Sequence, residues 1–252
     1  MKKVKPYDLF VILICLILFG YSILVGAPIQ NNTNIINLCV LVLFTVYIVC
    51  TLVKNKKYDV IKRKIDIFVI ILVFSSYISL IFGNYANLEA TIEYIIKYTA
   101  ILCLYLMIRD SVLKDKKYVD YILNTLIMSS ISIFILGLDD LTFDFLKKFM
   151  EITNNVEVAN KDNRFLGIFG YANTTAILML VISIISINKY LKTSNKLKYF
   201  YSLVTLLNLS AIVISYSRSV WLITLGAYLI YFFILKDTRI EFLELIARTR
   251  NL

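Results

Sequence analysis

Two short stretches of the sequence place an arginine, with glycine, asparagine or serine nearby, directly before a long apolar segment. The first is Arg164-Phe-Leu-Gly-Ile-Phe-Gly-Tyr-Ala-Asn-Thr-Thr-Ala176, and the second is Ser215-Tyr-Ser-Arg-Ser-Val-Trp221. A guanidinium offers a fixed fork of donors to phosphate oxygens, and a helix N-terminus adds free N–H groups and a positive dipole end. These stretches therefore predict an anion site, with a phosphate-bearing lipid headgroup as the candidate ligand.

Each stretch also carries residues that suit the start of a helix. Ser219 and either Asn173 or Thr174 are suitable N-caps, and Gly167 and Gly170 would let the backbone approach a bound anion closely. Interfacial arginines also snorkel or bind ordinary lipid headgroups, and physics alone gives the two interpretations even weight.

Composition indicates which elements must position these residues. Hydrophobic residues make up 60% of the 252 residues and charged residues 17%, which is typical of a polytopic membrane protein. We therefore predict an all-α transmembrane bundle of about eight helices, because most runs are near the length that spans a bilayer. The eight apolar runs are Leu9–Val25, Ile35–Val53, Ile65–Phe82, Ile92–Ile108, Val119–Leu138, Tyr171–Ile187, Tyr199–Tyr216 and Val220–Leu235.

The basic residues indicate orientation, because cytoplasmic loops carry the excess of Lys and Arg. Most of the 27 basic residues lie at the N-terminus, after the second, fourth and sixth runs, and after the eighth run. Both termini are therefore expected in the cytoplasm. Such short clusters do not form the basic face of a nucleic-acid-binding protein, so membrane lipids, and no nucleic acid, are the expected surroundings.

Four regions follow from this topology. They are a five-helix membrane region over 1–138, an extracytoplasmic loop over 139–170, a three-helix membrane region over 171–235 and a cytoplasmic tail over 236–252. In the loop, Leu141, Phe145, Phe149 and Ile152 stand at helical spacing, which predicts a short amphipathic helix on the outer membrane surface.

For several other candidate residues, an ordinary structural role is the first expectation. Tyr171, Tyr216 and Trp221 suit the aromatic belt at the membrane surface. Lys97, inside the fourth run, is expected to snorkel and pair with Glu93 one turn earlier, although an intramembrane charge is also a functional candidate.

The remaining polar residues suggest no catalytic group and no metal site. Asn208, inside the seventh run, is expected to make an interhelical hydrogen bond. The carboxylates of the outer loop have no spacing that singles out an acid and a base. The chain has no histidine, and its cysteines lie in apolar runs without CxxC spacing, so we predict neither metal nor cofactor.

The pattern Arg164-x-x-Gly167-x-Phe169-Gly-Tyr-x-Asn173-Thr-Thr-Ala, followed later by Ser217-Arg218-Ser-x-Trp221-Leu, resembles the O-antigen ligase and O-antigen polymerase family of bacterial envelope glycosyltransferases. The resemblance covers residues 164–235. It implies a GT-C type enzyme of the bacterial cytoplasmic membrane that acts at the outer face without metal or nucleotide sugar. Such an enzyme transfers a glycan from undecaprenyl diphosphate to a sugar hydroxyl with inversion.

In that family, outward-facing arginines hold the diphosphate leaving group, and Arg164 and Arg218 are the matching positions here. The expected site has four residues that bind diphosphate and six that support them: Arg164, Arg218, Asn173 and Ser219, with Gly167, Gly170, Tyr171, Ser217, Trp221 and Lys97.

Members of the family continue through a large external loop and further helices, which hold a catalytic histidine in ligases and further arginines in polymerases. This sequence ends at Leu252, so we expect the N-terminal portion of such an enzyme, completed by a second polypeptide or inactive alone. The alternative is a non-enzymatic membrane protein that binds or translocates lipid-linked anionic glycans, although the repeats and broken helices common in transporters are not apparent.

Overall fold

The computed structural model describes residues 6–24, 30–82, 88–142, 165 and 171–234. Every regular element within these ranges is an α-helix, which confirms the all-α fold class. The eight helices are α1 (Pro6–Leu24), α2 (Gln30–Asn55), α3 (Lys64–Phe82), α4 (Leu88–Lys114), α5 (Lys117–Thr142), α6 (Ala172–Lys192), α7 (Leu197–Ile214) and α8 (Arg218–Ile234).

Five of the described helices contain a stretch long and apolar enough to cross a membrane. These stretches are Asn34–Lys54, Thr91–Lys114, Lys117–Leu138, Ala172–Lys192 and Leu197–Ile214. Large apolar side chains are exposed on the helices, among them Phe68, Phe82 and Leu222. Lipid tails cover such a surface without the penalty it would incur in water. The chain is therefore a helical membrane protein.

Several helices extend beyond the apolar runs that predict them. α4 continues to Lys114, past the end of its run, and α8 begins at Arg218, before its run. α5 reaches Thr142, inside the region expected to be loop. Hydropathy marks only the apolar centre of a helix, while backbone hydrogen bonding continues into polar ends. The amphipathic helix predicted over 141–152 begins within the last turn of α5, and its residues from 143 onward lie outside the described residues.

The chain divides into two compact units, and the first contains α1 to α4 with the start of α5, through Thr125. Its core is formed by α1, α2 and α4, and α3 packs against α4. At one end, the hydroxyl of Tyr118 on α5 donates to Asp8 on α1 at 2.6 Å. The buried core residues are Ile14, Val40, Tyr47, Ala100, Cys103 and Met107.

The second unit begins at Leu126 and contains the rest of α5 with α6, α7 and α8. α6 and α7 are antiparallel, because Met179 packs with Ala211 in one cluster while Ile182 packs with Val204 in another. Small buried residues such as Ala176 and Ser183 on α6 let the two helices approach closely, as is common between membrane helices.

α8 runs parallel to α6 within the second unit. Val220, near the start of α8, packs in the same cluster as Ala176, and Tyr228, two turns later, donates its hydroxyl to Ser183 at 2.8 Å. The starts of α6 and α8, which contain the two sequence motifs, therefore lie at the same end of this unit.

Candidate functional site

The turn between α7 and α8 is held by its own serines. The hydroxyl of Ser215 donates to the carbonyl of Ile212 at 2.7 Å and accepts the N–H of Ser217 at 3.3 Å. Both serines are buried. Tyr216 between them adopts a left-handed backbone, with φ of 50°. Local hydrogen bonds therefore fix the backbone that leads to Arg218.

Arg218 is the first residue of α8, and it is exposed. Ser217 occupies the N-cap position, because its carbonyl accepts the N–H of Trp221 at 3.0 Å. The expectation that Ser219 caps this helix is therefore wrong: the helix starts before the apolar run, and Ser219 is its second residue. The free N–H groups and dipole of this first turn favour an anion beside Arg218.

Trp221 links the first turn of α8 to the last turn of α7. Its indole N–H donates to the carbonyl of Ile212 at 2.9 Å, while part of its ring stays exposed. The exposed part is compatible with the aromatic belt, and the hydrogen bond gives the side chain a second role. It holds the start of α8 in position beside the end of α7.

Phe165, the residue after Arg164 in sequence, is anchored to the same turn. Its N–H donates to the carbonyl of Ile214, the last residue of α7, at 3.3 Å. Its ring is fully buried, with 5.9 Å between its centroid and that of Phe134. Phe165 belongs to the first motif, and Ile214 directly precedes the second. This hydrogen bond therefore joins the first motif to the start of the second. Three predicted site residues lie outside the described residues: Arg164, Gly167 and Gly170.

The start of α6 brings further predicted residues to this end of the second unit. Tyr171 occupies the N-cap position and makes no side-chain cap. The expectation that Asn173 or Thr174 caps the helix is wrong, because they are its second and third residues. Both are exposed, and Tyr171 is 74% exposed. They are therefore accessible to a ligand at the membrane surface.

The described part of the site combines one cation with the starts of two helices. A guanidinium can donate two parallel hydrogen bonds to a phosphate, and the amide of Asn173 and the hydroxyl of Ser219 can add neutral donors. All three side chains act as hydrogen-bond donors toward an anion, and none is a carboxylate or an imidazole. The three residues therefore suit anion binding rather than proton transfer.

Lys97 lies in α4 of the first unit, whereas the other described site residues belong to the second unit. Lys97 is exposed. Glu93, its expected partner, accepts a hydrogen bond from the amide of Asn34 on α2 at 3.1 Å. The carboxylate therefore links α4 to α2, and its pairing with Lys97 stays a prediction.

A buried group of charges in the first unit was missed by sequence reasoning, which counted its basic residues only as topology signals. The Arg109 cluster consists of Arg109, Asp66, Asp110, Lys62 and Tyr105. Arg109 Nη1 lies 2.8 Å from Asp66 Oδ2, and Nη2 lies 2.8 Å from Asp110 Oδ1. Lys62 Nζ also lies 2.8 Å from Asp110 Oδ1. Arg109 is 6% exposed and Asp66 0%.

The Asp66 carboxylate accepts hydrogen bonds from several donors besides Arg109. Tyr105 donates its hydroxyl at 2.6 Å, and the backbone N–H groups of Lys62 and Arg63 each donate at 2.7 Å. Asp66 is the third residue of α3, so its side chain caps the helix by reaching back, as in a capping box. An aspartate at the start of an apolar run was the available sequence signal for this role.

The Arg109 cluster also holds the connection between α2 and α3. Arg109 donates to the backbone carbonyls of Val60 at 2.5 Å and Asp59 at 3.4 Å. Lys62 lies over the ring of Tyr58, 5.5 Å from its centroid. Burial raises the pKa of the Tyr58 phenol, and the nearby Asp110 carboxylate raises it further. Tyr58 is therefore neutral at physiological pH.

Asn208 is 1% exposed on α7, and neither atom of its amide has a hydrogen-bond partner among the described residues. The interhelical hydrogen bond expected from Asn208 is therefore not formed within this part of the chain. Tyr228 and Ser183 make such a bond instead, between α8 and α6.

Within the described ranges, no group of three or more histidine, cysteine, aspartate or glutamate residues could hold a metal ion. Comparison with protein families, curated proteins and solved structures finds no match for this chain.

Proposed function

We propose that this chain is a membrane glycosyltransferase of the O-antigen ligase or polysaccharide polymerase type. It binds glycans linked to undecaprenyl diphosphate at the outer face of the bacterial cytoplasmic membrane. Arg218 and Arg164 hold the diphosphate, with Asn173 and Ser219 as additional donors.

The observation that carries the proposal is the hydrogen bond between the N–H of Phe165 and the carbonyl of Ile214, at 3.3 Å. It joins the residue that follows Arg164 to the helix end that leads into Arg218. Phe165, which follows Arg164 in sequence, thereby lies at the turn that leads into Arg218. We assign one guanidinium to each phosphate of the diphosphate, since a guanidinium makes bidentate contact with phosphate.

The orientation follows the distribution of basic residues. We propose eight membrane spans with both termini in the cytoplasm, which would put the starts of α6 and α8 at the outer face. An exposed arginine at the membrane surface can then meet the headgroup of a lipid carrier while the polyprenyl chain stays among the apolar helices.

The proposed transfer breaks the bond between the sugar C1 and a diphosphate oxygen. A bond forms from C1 to the acceptor oxygen, and the proton of the acceptor hydroxyl is released to solvent. Negative charge develops on the departing diphosphate, where fixed cations and helix dipoles stabilise it. Removing one such preorganised donor typically lowers the rate by about 10²- to 10³-fold. This is the scale of the rate loss expected when the Arg218 guanidinium is removed.

The test is substitution in the bacterium that expresses the chain. Arg218→Ala and Arg164→Ala should abolish surface polysaccharide while the protein stays in the membrane at normal level. Arg218→Lys should restore little, because a point charge does not reproduce bidentate contact with phosphate. The matched control is Arg63→Ala, an exposed arginine of the first unit, which should leave the polymer unchanged. Normal polymer in Arg218→Ala would overturn the proposal.

A binding measurement separates the enzyme from the non-enzymatic alternative. The purified chain should bind undecaprenyl diphosphate in detergent micelles, and Arg218→Ala should weaken that binding. If binding depends on Arg218 but surface polymer does not, the chain is a carrier or assembly subunit for lipid-linked glycans rather than the transferase.

A further inference from the structure

The connection between α2 and α3 concentrates positive charge at one end of the first unit. Between Lys54 and Lys64 the sequence has six basic residues and one acidic residue, Asp59. Lys62 is engaged by Asp110, and the other five basic residues are exposed. We call these five residues the basic loop: Lys54, Lys56, Lys57, Arg63 and Lys64.

The backbone of the α2–α3 connection, between the basic residues of the loop, is held by buried side chains. Arg109 donates to the carbonyls of Asp59 and Val60, and Asp66 accepts the N–H groups of Lys62 and Arg63. Because buried charges hold the backbone of residues 59–63, that backbone loses little further conformational entropy when a ligand binds.

The apolar residues of the connection indicate which anion it meets. Val60 and Ile61 are exposed, at 45% and 58%, between the two basic segments. The connection also follows directly on Asn34–Lys54, a stretch able to cross a membrane. A surface with cations beside exposed aliphatic side chains suits the lipid interface, where phosphates lie above acyl chains. The phosphate backbone of a soluble nucleic acid would leave Val60 and Ile61 without an apolar partner.

We propose that the basic loop is a preorganised binding surface for anionic phospholipids. Its specificity is for headgroups with net negative charge, such as phosphatidylglycerol, over zwitterionic phosphatidylcholine. This surface is separate from the residues at the starts of α6 and α8, so it does not depend on the proposed glycan chemistry.

The experiment uses the full chain in nanodiscs containing increasing fractions of phosphatidylglycerol in phosphatidylcholine, with bound lipid counted by native mass spectrometry. The test variant is Lys57→Gln with Arg63→Gln and Lys64→Gln. The matched control removes three basic residues around the α6–α7 connection, as Lys192→Gln with Lys196→Gln and Lys198→Gln. Each basic residue near an anionic surface contributes roughly a factor of five in affinity, so the test variant should lose up to about a hundredfold at low salt.

Two results would overturn the proposal. One is equal loss of phosphatidylglycerol selectivity in the control and test variants, which would mean that net charge alone governs binding. The other is wild-type retention of phosphatidylglycerol that is no greater than retention of phosphatidylcholine. A variant with Lys57→Arg and Lys64→Arg keeps every charge and should bind as wild type does, which separates loss of charge from damage to the fold.

Discussion

Arg109 on α4 and Asp66 on α3 are 43 residues apart in sequence, and their side chains form an ion pair with 2.8 Å between Nη1 and Oδ2. Both side chains are buried. Each has further partners, so neither charge is left without compensation. Removing only one of them would leave the other charged and buried, which is the costly case for an ion pair away from water.

Replacing Arg109 by methionine should therefore destabilise the first unit by about 3 to 5 kcal/mol, the usual cost of breaking a buried pair from one side. Asp66 and Asp110 would lose their shared cation, and the carbonyls of Asp59 and Val60 would lose their donor. Equilibrium unfolding in mixed detergent and dodecyl sulfate micelles measures this change. Arg63→Met, at an exposed arginine, should shift stability by no more than about 0.5 kcal/mol. Equal effects of the two substitutions would contradict the structural role given to Arg109.

Phe165→Ala should cost about 3 to 5 kcal/mol, because the ring is fully buried against Phe134 and its loss leaves a cavity. The same unfolding assay, with Tyr171→Ala as control, tests this prediction. Tyr171 is exposed, so its truncation should be nearly neutral. If Phe165→Ala is also neutral, the segment that follows Arg164 is not anchored as described.

Asn208→Leu should leave stability unchanged or raise it by about 1 to 3 kcal/mol, because leucine has a similar volume and removes two buried polar atoms that lack partners among the described residues. Ser183→Ala should instead lower the free energy of unfolding by about 1 kcal/mol, because it leaves the hydroxyl of Tyr228 without its acceptor. Clear destabilisation by Asn208→Leu would show that the amide has a partner in the native membrane.

Trp221→Phe should lower the affinity for undecaprenyl diphosphate several-fold while leaving the protein folded. The substitution removes the indole donor to Ile212, whose carbonyl keeps the hydroxyl of Ser215, so the stability cost should be about 1 kcal/mol. Its effect on binding comes from a less constrained start of α8, where Arg218 lies. Phe233→Leu, an exposed aromatic near the other end of α8, should not change affinity. Unaltered binding in Trp221→Phe would exclude a positioning role for the indole.

Hydropathy was sufficient to predict the helices themselves, because a chain in lipid must satisfy its backbone within each span. It was insufficient for their ends. Hydropathy places the start of α8 at Val220, two residues after its actual start, and so moves the expected N-cap from Ser217 to Ser219. Backbone hydrogen bonds, rather than the first apolar residue, decide where a helix begins.

The Arg109 cluster could not be predicted from one sequence for a different reason. From sequence, Arg109, Lys62 and Arg63 are basic residues near the ends of apolar runs, and the orientation rule uses only that position. The contact of Arg109 with Asp66 depends on how α3 packs against α4, and that packing has no local pattern. For the candidate site, the sequence did predict that Arg218 lies at the start of a helix, while the bond between Phe165 and Ile214 depends on the tertiary structure.

The dependence of the α2–α3 connection on Arg109 has a consequence for biosynthesis. Asp59 and Val60 are translated about 50 residues before Arg109, whose guanidinium satisfies their carbonyls. At about 5 to 20 residues per second, ribosomes need roughly 3 to 10 seconds to cover that interval. During this interval the α2–α3 hairpin lacks the Arg109 donors to these two carbonyls, so its connection gains its full set of hydrogen bonds only after α4 has been synthesised.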